Sequence, residues 1–498
     1  MKKKTDIFRA AALTAVLAVT LAALPSCSDG SEVNPPVITH PETTENNNPQ
    51  DDYSDKIIRS ITAEQAAKAL DKLPESDFGG AATIIATVSH ADLLCPSEAA
   101  DEVSAAALAR NKYIEEKYST SIISKLAESE DALRKELSAS KNSGIYYTDL
   151  LGINLSEVGS FALDGLLMNM YSIPDLDLGA DYFSSDSVAQ LTAGYKLYAL
   201  SGAATEDVRE YYAVFFNKNL AQELGMGSLY ELVYSDSWTW EKFSELTHIA
   251  ATARGTDNAT AFGAMSDLPA DRIADAFFES SGNHYIDTTF GQPPAAAAIG
   301  DSLADLISLA RTTLGKGSGF VSGYGADTSA LSSFRAGNVL FYIGTLRDAE
   351  PLASIEVQWG VLPLPSHAGA PSVTATDPTR TAVLATPSYN SLADNASIML
   401  TALCASSVGL IDDAAVEYVT NVSLRDNSSI GMVRRMAAMT PCVDFTQAFG
   451  SLESVVSATR GAFYASVGGA SFTTQSNRYL RNANNLLRRT FPLTNAEQ

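Results

Sequence analysis

A chain of 498 residues is longer than one hydrophobic core organises, so two or more domains are expected. Hydrophobic residues make up 46% and mean hydropathy is near zero, which fits a globular body and argues against one embedded in a bilayer. The formal charge is −24; residues 1–27 carry four Lys/Arg and one Asp, so their removal leaves −27, a surface that repels phosphate backbones and speaks against a nucleic-acid partner.

The chain opens on Lys2–Lys4 and Arg9, followed by an apolar stretch, Ala10–Leu24, that is short for a membrane span. Leu24-Pro25-Ser26-Cys27 resembles a bacterial lipobox, which implies a signal peptide over 1–26, cleavage before Cys27 and acyl chains on that cysteine. An ordinary secretory peptide with an incidental cysteine is the alternative. From residue 27 to 56 the composition turns to Pro, Asn and acid without apolar periodicity, as in a disordered tether. About 30 such residues span roughly 30 Å, enough for a globular body to reorient above a membrane.

A short helix (Ala63–Leu73) within a lead-in segment, 57–76, precedes the strand-like Ala82–Val88 and an amphipathic helix over Ser97–Lys117. ALARNKYIEEKYSTSI on that helix resembles the first helix of large lipoprotein members of the family 1 extracellular solute-binding proteins, which implies that its basic and polar positions face solvent; Arg110 and Asn111 read as structural. A helix over Glu128–Ser138 and a strand over Gly144–Leu150 follow. The alternation of strand and helix predicts open, largely parallel sheets that meet ligands at the carboxyl ends of their strands. Tyr147 and Asp149 then sit at such an end; Asp149 reads equally well as a cap of the next helix.

The stretch YYAVFFNKNLAQELGMGSLYELVYSDSWTWEKFSEL, Tyr211 to Leu246, is the most informative. Its pattern predicts a strand over Tyr211–Phe216, a short helix over Leu220–Leu224 closed by Gly225, and a second helix capped by Thr239 with Trp240, Phe243, Leu246 and Ala250 on its apolar side. Residues 260–330 are small and polar; GKGSGFVSGYG lacks the GxxxxGK[ST] order of a phosphate loop and reads as a connection. Further on, FRAGNVLFYIGTLRDAEPL predicts a helix end at Phe334–Gly337, a strand over Val339–Ile343 and a loop over Gly344–Arg347. A strand over Trp359–Pro365, a strand within Thr379–Leu384 and a helix over 394–406 come next.

The order strand, "FNK", short helix, Gly, "TW" resembles the second-lobe entry of family 1 extracellular solute-binding proteins, the maltose-binding-protein-like receptors of carbohydrate ABC importers. AGYKLYAL around Gly194 and Tyr195 resembles that family's crossover between lobes, and "FRAGNVLFYIGTLRD…WGVLPLP" and "LRDNSS" resemble later blocks. Two letters depart: Phe216 replaces a usual Tyr, and Ser237-Trp238 stand where a Pro is usual. The resemblance implies an α/β, two-lobed periplasmic-binding-protein-like fold, each lobe a mostly parallel sheet flanked by helices, with the cleft between them. It places lobe 1 at 77–195 with 375–410 and lobe 2 at 196–374 with 411–498. It also implies a lipid-anchored monomer on the outer face of the cytoplasmic membrane that hands a mono- or oligosaccharide to an ABC permease and its ATPase. A surface glycan-binding or solute-sensing lipoprotein not coupled to transport is the alternative.

Such a receptor needs aromatic faces for sugar C–H groups and polar side chains for hydroxyls. The candidates near predicted cleft edges are Tyr147, Asp149, Tyr195, Tyr212, Trp238, Trp240, Thr345, Arg347, Trp359 and Arg380. Trp240 and Trp359 fall on apolar patterns that favour the core, Tyr212 can face either way, and Arg347 and Arg380 read equally well as partners in ion pairs. An enzyme is not expected: no GxSxG is present, and Ser138-Ala139-Ser140-Lys141 lacks its KTG and SDN partners. No cofactor is expected. The four cysteines, at 27, 95, 404 and 442, form no CxxC, and the histidines at 40, 90, 248, 284 and 367 are scattered, so a zinc site would have to be assembled from distant parts of the chain.

Overall fold

The apolar runs of the sequence become strands of two separate sheets. The computed structural model describes residues 72–253, 262–297, 301–315, 317–322, 329–367, 373–389, 393–424, 426–450 and 472–493; the expected signal segment, Cys27, the tether and the lead-in helix up to residue 71 lie outside them. In chain order the principal strands are β1 (Ala82–Thr87), β2 (Ser121–Leu126), β3 (Leu150–Asn154), β4 (Tyr212–Asn217), β5 (Phe262–Ser266), β6 (Phe320–Ser322), β7 (Val339–Thr345), β8 (Trp359–Pro363), β9 (Val373–Ala375), β10 (Ala382–Ala385) and β11 (Thr440–Cys442). The helices used below are α1 (Glu102–Tyr118), α2 (Glu130–Ser143), α3 (Ser185–Gln190), α4 (Lys218–Glu223), α5 (Trp240–Ala253), α6 (Ala270–Glu279), α7 (Ala393–Ala405), α8 (Ile411–Ser423) and α9 (Asn427–Ala437).

The first sheet has the order β10-β3-β1-β2, parallel except for β10. The second has the order β6-β5-β7-β4-β8, in which only β4 runs against its neighbours. All six residues of β4 and all seven of β7 are buried, so these strands read as continuous apolar runs rather than as alternation. Helix α5 begins where expected: the Thr239 hydroxyl accepts from the Lys242 amide at 3.3 Å, and Trp240, Phe243, Leu246 and Ala250 are buried on one face. The Phe243 ring centroid lies 5.1 Å from that of Phe341 on β7, which fixes the helix to its sheet.

Three local expectations are corrected. The strand expected at Gly144–Leu150 begins only at Leu150: α2 continues to Ser143, Gly144 closes it with φ of 71°, and Thr148 and Asp149 spend their side chains on the backbone of Ile84. Helix α1 starts at Glu102, not Ser97, because Asp101 and Ser104 form a capping box. Arg110 and Asn111 do not face solvent; both are buried, and Arg110 donates to the carbonyls of Leu93 and Leu94 at 2.9 and 2.8 Å. Their structural role stands, directed inward.

The chain passes between the sheets twice, side by side. Leu200 and Leu384 exchange backbone hydrogen bonds of 3.0 and 2.9 Å, Tyr211 bridges Thr376, and the Asp377 amide donates to the Glu210 carbonyl at 3.0 Å. Helix α8 forms a third connection, packing on α1 beside the first sheet and on α9, which covers β8 of the second.

Candidate ligand-binding site

The carboxyl ends of both sheets converge on the segment Asp207–Glu210, immediately before β4. From the first sheet, Asp92 beyond β1 and Asp101 at the start of α1 reach Arg209, at 3.0 Å (Nη2 to Oδ2) and 3.4 Å (Nη1 to Oδ2). Arg209 also grips its neighbour Asp207, with Nε donating to Oδ1 at 2.8 Å and Nη2 standing 2.7 Å from Oδ2. From the second sheet, Arg347 beyond β7 pairs with Glu210 and reaches Asp207 Oδ2 at 3.3 Å. Arg380, ahead of β10, stands 3.6 Å from Glu210.

Burial makes this network consequential. Arg209 is 2% exposed; desolvation would lower its pKa, yet the Asp207 and Asp92 carboxylates outweigh it and raise it. Desolvation likewise pushes Asp207 up, and the two guanidinium groups of Arg209 and Arg347 prevail, holding it below its ordinary value. Glu210 goes the other way: burial and the Asp207 charge push it up to about 7 against the pull of Arg347 and Arg380. His90, at the end of β1, is buried, which lowers its pKa although it hydrogen-bonds Asn154 Oδ1 at 2.8 Å.

Beside this network lies a crevice lined by Ser184, Ser201, Thr205, Asp207, Glu210 and Thr381, with Tyr211 and Val443 among its walls. It offers hydroxyls and carboxylates in one place. About 20 Å³ is open to the centre of a water-sized sphere, room for a water molecule but not for a sugar ring.

Of the residues singled out in the sequence, Arg347 and Arg380 reach this crevice network through Glu210. Thr345 is nearby: it is buried at the end of β7, and Gly344 and Thr345 belong to the strand, so the expected loop shrinks to a turn at Leu346–Asp348. Tyr212, at the same sheet edge, is 1% exposed, with a hydroxyl that has no hydrogen-bond partner among the described residues. Trp238 is buried with Nε1 donating to the Pro363 carbonyl at 2.9 Å, and Trp240 is fully buried against Phe277. Both are core. Trp359 lies at the other end of β8, opposite Asn217, and its Nε1 donates to the Leu352 carbonyl.

Tyr147 and Asp149 are placed at the amino end of β3, opposite Ile84, away from the converging edges. There the Lys125 ammonium lies 3.4 Å from the Tyr147 ring centroid, and Asp149 accepts from the Ile84 amide and the Tyr146 hydroxyl. Tyr195 sits in a turn behind Gly194, edge-on to Phe290 at 5.3 Å, and lines a separate recess of about 140 Å³ with Phe491 and Leu493. The sequence reading missed His90, Asp92, Asn154, Asp207, Arg209 and Glu210. Applying the carboxyl-end rule to β1, whose span was legible, points to His90 and Asp92, and the DVRE string directly before β4 was the remaining signal.

No protein-family model matches the chain, and no curated protein matches it by sequence. Solved structures do match. The cyclic α-maltosyl-1,6-maltose binding protein from Arthrobacter globiformis superposes with a TM-score of 0.56 at 17% identity, over 82% of this chain and 100% of that one. The fold is that of the two-lobed solute-binding proteins. UgpB from Mycobacterium tuberculosis, solved with glycerophosphocholine, matches at a TM-score of 0.51 and 16% identity over 82% of this chain and 98% of that one. A cyclo/maltodextrin-binding protein complexed with maltotetraose matches at 0.51 and 14% over 84% and 98%. In this two-lobed fold the Asp207–Glu210 network lies where the carboxyl edges of the lobes meet, on the first of the paired connections.

Proposed function

We propose that the chain is a solute-binding receptor that holds a carbohydrate between its lobes and delivers it to an ABC permease, anchored at the outer face of the cytoplasmic membrane through lipid on Cys27. The supporting observation is the meeting of two carboxyl sheet edges at a crevice rich in hydroxyls and carboxylates, Ser184, Ser201, Thr205, Asp207, Glu210 and Thr381, beside the connections that join the lobes. Such groups suit the alternating donors and acceptors of sugar hydroxyls. Arg347 and Arg380 pair with Glu210 of the crevice lining, where a sugar hydroxyl or carboxylate would compete for them. Contacts made to ligand by both lobes favour the closed state, which is the form a permease reads. The receptor makes and breaks no covalent bond.

A thermal-shift screen of the full chain against mono- and oligosaccharides, amino acids and short peptides tests this reading. A ligand at 100 times its dissociation constant adds about 2.7 kcal/mol of stability. The expected result is a shift with one class of sugar that shrinks in Arg347→Ala. Shifts confined to amino acids or peptides, or none with any sugar, overturn the carbohydrate assignment.

A further inference from the structure

Three residues far apart in sequence come together beside the crevice. Asp186 lies on α3, His284 follows α6, and Cys442 ends β11. One ligand atom from each lies within 4.8 Å of the other two. The Cys442 sulfur is 3.8 Å from His284 Nδ1, and Asp186 Oδ1 is 3.8 Å from His284 Nε2. A tetrahedral zinc ion, with bonds of about 2.0 Å to nitrogen and oxygen and about 2.3 Å to sulfur, needs ligand atoms roughly 3.3–3.6 Å apart. The two contacts fall on different nitrogens of the ring, of which one ion takes only one; with one donor atom from each residue the three stand within 4.8 Å, and Asp186 and His284, both partly exposed, must turn to reach the tetrahedral spacing.

We infer that Asp186, His284 and Cys442 form a binding site for a thiolate-preferring divalent cation, zinc foremost, with the fourth position open to water or a ligand oxygen.

The surroundings are those of a cation site. Asp444, fully buried and fixed by the Tyr285 amide at 2.6 Å and the Thr446 amide at 2.7 Å, stands with Oδ2 3.8 Å from His284 Nδ1, a fixed carboxylate beside the cluster. Asp186 is fixed in turn by the Val443 amide at 2.7 Å. The charged and titratable groups facing Cys442 are Glu279, Asp186, Asp444 and His284, three of them carboxyl groups. A cysteine thiol, with an ordinary pKa of about 8.5, is mostly protonated at neutral pH, whereas the metal ligand is the thiolate. Binding therefore exchanges one proton for one metal–sulfur bond: the thiol S–H breaks, the sulfur's electron pair binds zinc, and the proton leaves to solvent. The mixed sulfur, nitrogen and oxygen donors select zinc over calcium or magnesium, which take oxygen shells. Val443 lines the crevice, so an occupied site pins α3 to the crevice wall.

Titration calorimetry of zinc chloride into the full chain, repeated in buffers of different ionisation enthalpy, tests the site. One zinc per chain with about one proton released is expected, and magnesium produces no such signal. Cys442→Ser abolishes the proton release, and His284→Gln weakens binding by at least about tenfold. His284 is partly exposed, so the second variant keeps the test intact if the first fails to fold by circular dichroism. With cobalt in place of zinc, a thiolate-to-metal absorption band appears in the parent chain and vanishes in Cys442→Ser. Absence of zinc binding at micromolar concentration, or binding unchanged in His284→Gln, overturns the assignment. Neither result bears on the sugar screen.

Discussion

At the scale of single residues, the buried charges carry the sharpest consequences. Arg209 is surrounded by Asp92, Asp101 and Asp207, with its guanidinium carbon 5.5 Å from the centre of the Tyr418 ring. Replacing it by methionine keeps volume and leaves Asp207 buried without its main counter-charge. Arg209→Met should cost about 3–5 kcal/mol in urea unfolding, and a loss under about 1 kcal/mol would show that the site relaxes around the missing charge. Glu130 makes a different prediction. Burial, opposed by the Asn154 amide and reinforced by Glu157, lifts its carboxyl to about 7, whereas its ordinary value is 4.5. The folded chain thus holds this proton more tightly than the unfolded one, so the stabilisation is complete below about pH 4.5 and lost as pH rises through about 7. Glu130→Gln keeps an acceptor for the Asn154 amide and carries no charge. It should equal the parent near pH 4.5, surpass it at pH 8 and flatten the slope between, as read by urea midpoints at three pH values. Glu210, raised in the same direction, leaves a residual slope in both proteins.

Individual elements show why some of the structure was legible and some was not. Helix α5 and strands β4 and β7 were readable because a cap, an apolar spacing and a continuous buried run are all local in sequence. The start of β3 was not. Ile145 and Tyr146 are apolar but exposed, and only the distant Ile84 backbone explains why Thr148 and Asp149 turn aside before the strand begins. The candidate site depends still more on distance: Asp92 and Arg209 are 117 residues apart, and nothing local says that a charged DVRE string is buried. The end of β7 offers a test at this scale. Gly344 leaves space for Asp348 to fold back, where its Oδ2 accepts from the Tyr342 hydroxyl and the Thr345 amide, each at 3.0 Å. A Cβ on residue 344 would fall 2.0 Å from that oxygen. Gly344→Ala should therefore cost about 2–4 kcal/mol through the displaced carboxylate and its two lost hydrogen bonds. Because Arg347 sits inside the same turn, the variant should also weaken any ligand that the screen identifies.

For the whole molecule, the narrowness of the crevice sets a bound. On the proposed reading, a crevice that admits a water molecule and no sugar ring must part its walls to seat a sugar. The opening itself is constrained by the two connections, which are bonded to each other at Leu200–Leu384 and again at Tyr211–Thr376 and Glu210–Asp377. A single strand between two bodies permits swivel about its own axis, whereas two strands tied together at both ends resist it and leave bending across the pair. On the proposed reading the lobes would then move as a book does on its spine, each face returning to the same opposite face on every closure, so that the register between Arg347 on one page and Glu210 on the spine need not be searched for anew.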